Sequence, residues 1–305
     1  MRAVRFDHYG GLDVLEVREV EDPVAGPGEV RVAVKAAGIN PGEIAIREGR
    51  LDARFPATFP SGEGTDFAGI VDAVGEGVTN FSDGDEVLGW TEQRGSQAEL
   101  VVVGADQLTP KPENLSWEVA GSLFVVGMAA YNSVDAVQPK AGETVVVSAA
   151  AGGVGSVAVQ LARRTGALVI GLASEENHEW LREHDIVPVT YGDGQEERIK
   201  QAAHGTINAF IDTFGGGYVA LAIDLGVPPD RINTIADFEA VGRFGVKSEG
   251  THANASARRL GELAAMVADG SLELPVAKTF SLDEVREAYA ELAERHTHGK
   301  IVLLP

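Results

Sequence analysis

Apolar and polar positions alternate in short runs through the first hundred residues. Residues 14–20 and 30–35 both follow a period of two, which predicts half-buried strands. A Pro- and Gly-rich spacer, residues 23–29, reads as the turn between them. Residues 68–74, 86–89 and 98–103 add further short strands, separated by Gly/Asp turns such as 82–85. Many short strands with regular turns predict a barrel-like β domain. From residue 117 the period lengthens. Residues 117–136 read as a helix with Ser116 as N-cap. Strands then alternate with helices: strands over 144–148, 167–172, 210–212 and 231–235, helices over 154–164, 175–184 and 256–269. That alternation predicts a parallel sheet covered on both faces. A strand over 276–280, a helix over 282–294 and a last strand over 301–304 return to the first domain.

The β-branched run 144–148 enters a glycine loop, Ala149-Ala150-Ala151-Gly152-Gly153-Val154-Gly155, and a helix leaves it. Aligned with the dinucleotide fingerprint, Ala150, Gly152 and Gly155 take the three glycine positions. Gly152 lets the backbone approach a pyrophosphate, Gly155 lets helix and strand pack closely, and the amides of Gly153 and Val154 face an anion. A tight turn without a ligand is the other reading of these residues. At the end of the next strand, Ser174 and Asn177 stand where an NAD site usually has an acid for the ribose hydroxyls, which makes room for a 2′-phosphate. Glu175 and Glu176 sit beside them and would repel such a group unless turned away.

Composition removes whole classes. The 305 residues carry 25 basic and 46 acidic side chains, a net charge of −21, which disfavours nucleic acid and anionic membranes as partners. There is no cysteine, so disulfides, thiolate nucleophiles, iron–sulfur clusters and thiolate zinc sites are excluded. The uncharged stretch 144–162 is long enough to raise a membrane span, but Gly152, Gly153 and Gly155 divide it. The charged residues at the start give no signal-peptide pattern, so a cytoplasmic protein is expected.

The chain resembles the zinc-free quinone oxidoreductases, the zeta-crystallin-like group of the medium-chain dehydrogenase/reductase superfamily. The resemblance runs over almost the whole length. It rests on Ala36-Ala37-Gly38-Ile39-Asn40-Pro41, on Gly64-Thr65-Asp66-Phe67-Ala68-Gly69, on 78–89, on the glycine loop, on Gly127-Met128-Ala129-Ala130-Tyr131 and on Gly299-Lys300-Ile301-Val302-Leu303. It implies an α/β fold: a GroES-like β-barrel domain (1–117 and 271–305) plus a Rossmann doubly wound parallel-sheet domain (118–270), with the active site between them. It also implies NADP(H) as cofactor, NAD(H) remaining open, no metal, a small-molecule quinone or enone as substrate, and a homodimer. By position, Asn40 would lie by the nicotinamide, and Ala151, Gly152, Gly153 and Val154 by the pyrophosphate. Ser174, Asn177 and Tyr191 would surround the adenosine phosphate, with Phe214, Gly215 and Ile235 along the nicotinamide half.

Departures from the group are specific. Its 2′-phosphate lysine falls at about Glu176 or Asn177, Ala129 replaces a threonine, and Glu43 replaces the aspartate of the Asn-Pro-x-Asp pattern. The tyrosine of the enoyl-thioester branch is absent after Gly49. Thr65 stands where the zinc branch has histidine, and the nearby Glu63 and Asp66 make a poor zinc site without nitrogen or sulfur, so hydrogen bonds to backbone turns are their expected role. Trp90 and Phe124 are expected in the core. Asn40 is the candidate for orienting cofactor or acceptor, and a turn residue before Pro41 is its other reading. The expected function is NADPH-dependent reduction of quinones or α,β-unsaturated carbonyls. The alternatives are an enoyl reductase of a biosynthetic intermediate and a non-catalytic NADP(H)-binding protein.

Overall fold

The computed structural model describes residues 1–305. The chain divides into two compact units, one of residues 1–125, 256–271 and 275–305, the other of residues 126–255 and 272–274. Its strands, in chain order, are β1 (Arg2–Phe6), β2 (Glu16–Glu19), β3 (Glu29–Gly38), β4 (Ser61–Gly62), β5 (Asp66–Val74), β6 (Glu86–Trp90), β7 (Leu100–Gly104) and β8 (Leu108–Pro110) in the first unit. They continue as β9 (Thr144–Val147), β10 (Leu168–Ala173), β11 (Val187–Thr190), β12 (Ala209–Asp212) and β13 (Ile232–Thr234) in the second. The chain closes on β14 (Val276–Ser281) and β15 (Lys300–Leu304) in the first.

The first unit holds a seven-stranded sheet, in which the path β14-β15-β3-β5-β6-β8 is joined by β7 on β3, and a three-stranded sheet of order β2-β1-β4. The long strand β3 alternates buried Val30, Val32 and Val34 with more exposed partners, and pairs antiparallel with β5 and β7. Those valines join Phe67, Val71, Val87 and Val101 in one apolar cluster. The return of the chain end is visible in register: β15 runs antiparallel to β3, with Val302 opposite Gly38.

The helix expected over 117–136 is two helices, Trp117–Ala120 and Leu123–Val137. Gly121 stands at the break, where β3 comes too close for a side chain. A Cβ on Gly121 would lie 2.4 Å from the Ala36 carbonyl oxygen, and the Gly121 carbonyl accepts the Gly38 amide at 2.8 Å. The second helix is started by a remote carboxylate, Asp66, which accepts the Val125 amide at 2.6 Å. The helix Ala257–Ala268, expected in the dinucleotide domain, belongs to the first unit, where Gly261 lets it lie against Thr109 of β8.

The second unit is a five-stranded, all-parallel sheet of order β11-β10-β9-β12-β13. All four residues of β9 and of β12 are buried, as expected for central strands covered on both faces. Strand order reverses between β9 and β12, and in open α/β sheets ligands bind outside the carboxyl ends at such a point. No helix of the protein is long and apolar enough to cross a membrane.

Candidate active site

The glycine loop leaves β9 at the switch point. Its sharp turn is made by Ala149, with φ +46°, one residue before the position matched to the first fingerprint glycine. Gly152 caps the helix Gly153–Arg163, whose first turn holds no acidic residue. A Cβ on Gly155 would lie 2.0 Å from the Ala149 carbonyl oxygen, so this glycine is required for helix and loop to pack. A Cβ on Gly152 would meet only that oxygen, at 3.3 Å, and would otherwise point into open space. Gly152, Gly153 and Val154 are part-exposed and Ala151 is buried. The first amides of a helix have no partner within it, and a terminus of this kind can receive an anion.

The other expected contacts follow the carboxyl ends of the remaining strands, on the same edge of the sheet. After β10, the Ser174 hydroxyl donates to Glu176 at 3.0 Å and accepts from the Asn177 amide at 2.9 Å. After β11, Tyr191 is 44% exposed, and the loop behind it is closed by Arg198, whose guanidinium donates to the carbonyls of Thr190 and Asp193. After β12 come Phe214 and Gly215, whose amides both donate to Asp212. After β13, the Ile235 amide donates to the Asp212 carbonyl at 3.0 Å.

Asn40 lies in the first unit as the N-cap of the helix Pro41–Arg47. Its backbone amide donates to Glu43 at 2.8 Å, and Pro41 at N1 gives up no hydrogen bond there. Its side-chain amide donates to Glu43 at 3.1 Å and to Asp66 at 2.9 Å, while its carbonyl oxygen accepts from Lys300 at 2.5 Å. Both amide hydrogens are thus held within the protein. The network continues through Tyr289, which donates to Glu43 at 2.7 Å and accepts from Gln97 at 2.6 Å. Arg47 lies 4.6 Å over the Tyr289 ring and pairs with Glu63 at 2.5 Å. Asp66 takes the backbone-capping role expected of it and also faces Lys300 at 3.6 Å, whereas Glu63 makes an ion pair. Trp90 and Phe124 are buried with rings stacked 4.3 Å apart.

Burial governs protonation in this network. It pushes the Glu63 carboxyl up to about 8 against the pull of Arg47. It also raises Glu43, Asp66 and the Tyr289 phenol, and it lowers Lys300. A carboxyl that holds its proton more firmly folded than unfolded favours the folded state most below its unfolded value of 4.5, and that advantage is lost as pH rises through about 8. The melting temperature of the wild type is therefore expected to fall between pH 5 and 8.5 relative to that of Glu63→Gln. Parallel melting profiles for the two proteins would contradict this.

Sequence reasoning missed the buried acceptor Asp212 and most of the network around Asn40. An aspartate ending an otherwise apolar strand was the one available signal for the former.

Residues 26–113 match the alcohol dehydrogenase GroES-like domain, and residues 185–303 match the zinc-binding dehydrogenase family. The chain is 29% identical to the quinone oxidoreductase of Pseudomonas aeruginosa, over 100% of this chain and 99% of that protein. It superposes on the Escherichia coli quinone oxidoreductase complexed with NADPH with a TM-score of 0.87 at 25% identity, covering 100% of both chains. For an NAD-dependent alcohol dehydrogenase the TM-score is 0.88 at 30% identity, again over 100% of both. The residues here do not fit the zinc that one family description names. Cysteine is absent, Thr65 offers no nitrogen, and the carboxylates of Glu63 and Asp66 are buried and engaged by Arg47, Asn40, Lys300 and Val125. No group of three or more His, Asp or Glu side chains is arranged to hold a metal ion. With both domains, the five-stranded parallel sheet and the full-length likenesses in agreement, the chain belongs to the quinone oxidoreductase group of the medium-chain dehydrogenase/reductase superfamily, whose members are NAD(P)H-dependent oxidoreductases.

Proposed function

We propose that this protein is a zinc-free reductase that takes a hydride from a reduced nicotinamide cofactor and delivers it to a quinone or an α,β-unsaturated carbonyl. The observation that carries the reading is the donor chemistry at Glu63, Thr65 and Asp66, which leaves no Lewis acid to polarise an ordinary ketone. Quinones and enones need less help, because charge developing on their oxygen is delocalised and is met by hydrogen bonds and solvent protons. When bound, the cofactor supplies the hydride. The protein's share is to hold the pyrophosphate at Gly152, Gly153 and Val154 and to seat the nicotinamide half against Phe214, Gly215 and Ile235. Loss of NADPH absorbance with quinones or enones, and none with simple ketones, is the expected result. Reduction of simple ketones, or no turnover with any acceptor, would sink the reading. Turnover confined to enoyl thioesters would replace it with the enoyl-reductase alternative.

Ser174 and Asn177 offer a hydroxyl and an amide to a 2′-phosphate, while Glu176 on Ser174 suits a free ribose hydroxyl. The reading is a site that takes NADPH without excluding NADH. Glu176→Lys replaces an exposed carboxylate with an ammonium and is expected to raise the NADPH-to-NADH ratio of kcat/KM by about tenfold or more. An unchanged ratio would move the 2′-phosphate away from this loop.

A further inference from the structure

Three neighbouring parallel strands of the second unit end on polar side chains that meet at one atom group. Ser148 follows β9, Asp212 ends β12 and Thr234 ends β13. Asp212 is fully buried. Its Oδ1 accepts from the Ser148 hydroxyl at 2.8 Å and from the amides of Phe214 at 3.0 Å and Gly215 at 2.9 Å. Its Oδ2 accepts from the Thr234 hydroxyl at 2.8 Å.

The direction of each bond is fixed by what the hydroxyls do elsewhere. Ser148 Oγ accepts the Thr213 amide at 2.9 Å. Thr234 Oγ1 accepts the amides of Ala236 at 3.2 Å and Asp237 at 3.0 Å. Those contacts use lone pairs, so the single proton of each hydroxyl points at Asp212. Four donors and no acceptor surround the group, which is the hydrogen-bond environment of a carboxylate. All four donors are neutral, so the charge meets no cation. Its field reaches the neighbouring phenol: Tyr218 is raised first by burial and then by Asp212.

The carboxylate also shapes the loop beside it. Phe214 and Gly215 hang from Oδ1, and Gly215, Gly216 and Gly217 all take positive φ, which leaves Phe214 39% exposed at the sheet's carboxyl edge. In a doubly wound sheet the second half of a dinucleotide lies over this side, with the pyrophosphate at the helix after β9.

We propose that Asp212 is a positioning residue whose unpaired charge favours the oxidised over the reduced nicotinamide and so makes the bound cofactor a stronger hydride donor. The inference rests on the nicotinamide reading above. Transfer of a hydride breaks a C–H bond with its electron pair, leaves one positive charge on the pyridine ring and reduces the quinone or enone, which then takes a proton from solvent. A fixed negative charge near that ring lowers the energy of the product state, and the low dielectric of a covered strand end strengthens the effect.

Calorimetric or fluorescence titration of the full-length protein with the oxidised and the reduced cofactor tests this without any acceptor. Asp212→Asn removes the charge and is expected to weaken the oxidised form by about tenfold relative to the reduced form. Ser148→Ala removes a hydrogen bond but keeps the charge, so both affinities are expected to fall together with their ratio within about twofold of wild type. An unchanged ratio in Asp212→Asn, or an equal change in Ser148→Ala, overturns the proposal and leaves the nicotinamide reading standing. Failure of the wild type to bind either form takes down both. Should Asp212→Asn not fold, the wild type decides: a bound couple with a midpoint potential below that of the free couple supports the proposal, and one at or above it overturns it.

Discussion

Gly155→Val is expected to abolish nucleotide binding and to destabilise the parallel-sheet unit. A Cβ at this position would lie 2.0 Å from the carbonyl oxygen of Ala149, 2.8 Å from its carbon and 2.9 Å from Cα of Ala150. All three obstacles are backbone atoms, so no side-chain rotation relieves the clash. The loop has little slack, because Ala149 already sits at φ +46°, a region that costs a non-glycine residue about 1 kcal/mol or more. The helix must therefore move off β9. Overpacking typically costs about 1–3 kcal/mol, and a clash against fixed backbone belongs at the upper end or beyond. About 3 kcal/mol lowers the melting temperature of a unit this size by roughly 6–12 °C. Gly152→Ala is the informative control. Its φ of −76° suits alanine, and its Cβ would meet only one oxygen at 3.3 Å. That variant is expected to melt within a few degrees of wild type and yet to bind nucleotide about tenfold or more weakly, since the methyl group would occupy the approach to the helix amides. Equal affinity in Gly152→Ala would place the pyrophosphate elsewhere.

The two glycines also show what kind of information a sequence carries. The loop from β9 into its helix was legible because strand, glycine spacing and helix are contiguous. The strand β3 was legible because alternation is local, and β5, β6 and β7 because their short apolar runs are bounded by Gly/Asp turns. Asp212 was not, because its meaning depends on Ser148 and Thr234, which lie 64 and 22 positions away. Nothing in Ala209–Asp212 itself distinguishes a charged hub from a strand that happens to end on an acid. Asn40 was legible as a candidate and as a turn residue, and its capping role follows from Pro41 and Glu43 next to it. Its ties to Asp66 and Lys300, 26 and 260 positions away, had no local signature. The single helix expected over 117–136 failed for the same reason. The pattern saw a glycine that helices tolerate, whereas the fold needed Gly121 for its contact with Ala36.

Arg47→Met is expected to destabilise the first unit by about 3–5 kcal/mol at pH 8.5, because a buried pair loses one member and Glu63 must then take up a proton at a pH far above its unfolded value of 4.5. Arg47 is fully buried, Glu63 is 1% exposed, and the two are 2.5 Å apart. Methionine fills part of the space over the Tyr289 ring but neutralises nothing. At lower pH Glu63 has an escape. Burial already holds its proton up to about 8, and without Arg47 that hold strengthens, so at pH 6 the carboxyl enters the folded state neutral and the loss is expected to shrink. The double variant Arg47→Met/Glu63→Gln carries no charge at either position and is expected to recover most of the stability at pH 8.5, because replacing both members of a buried pair is far milder than removing one. Urea denaturation of the wild type and the variants at pH 6 and 8.5 measures each step. A double variant no more stable than Arg47→Met would show that the guanidinium matters for its bond to the Gly11 carbonyl and its contact with Tyr289 rather than for its charge. Recovery only at pH 8.5 would identify Glu63 as the group whose proton sets the pH dependence of this unit's stability.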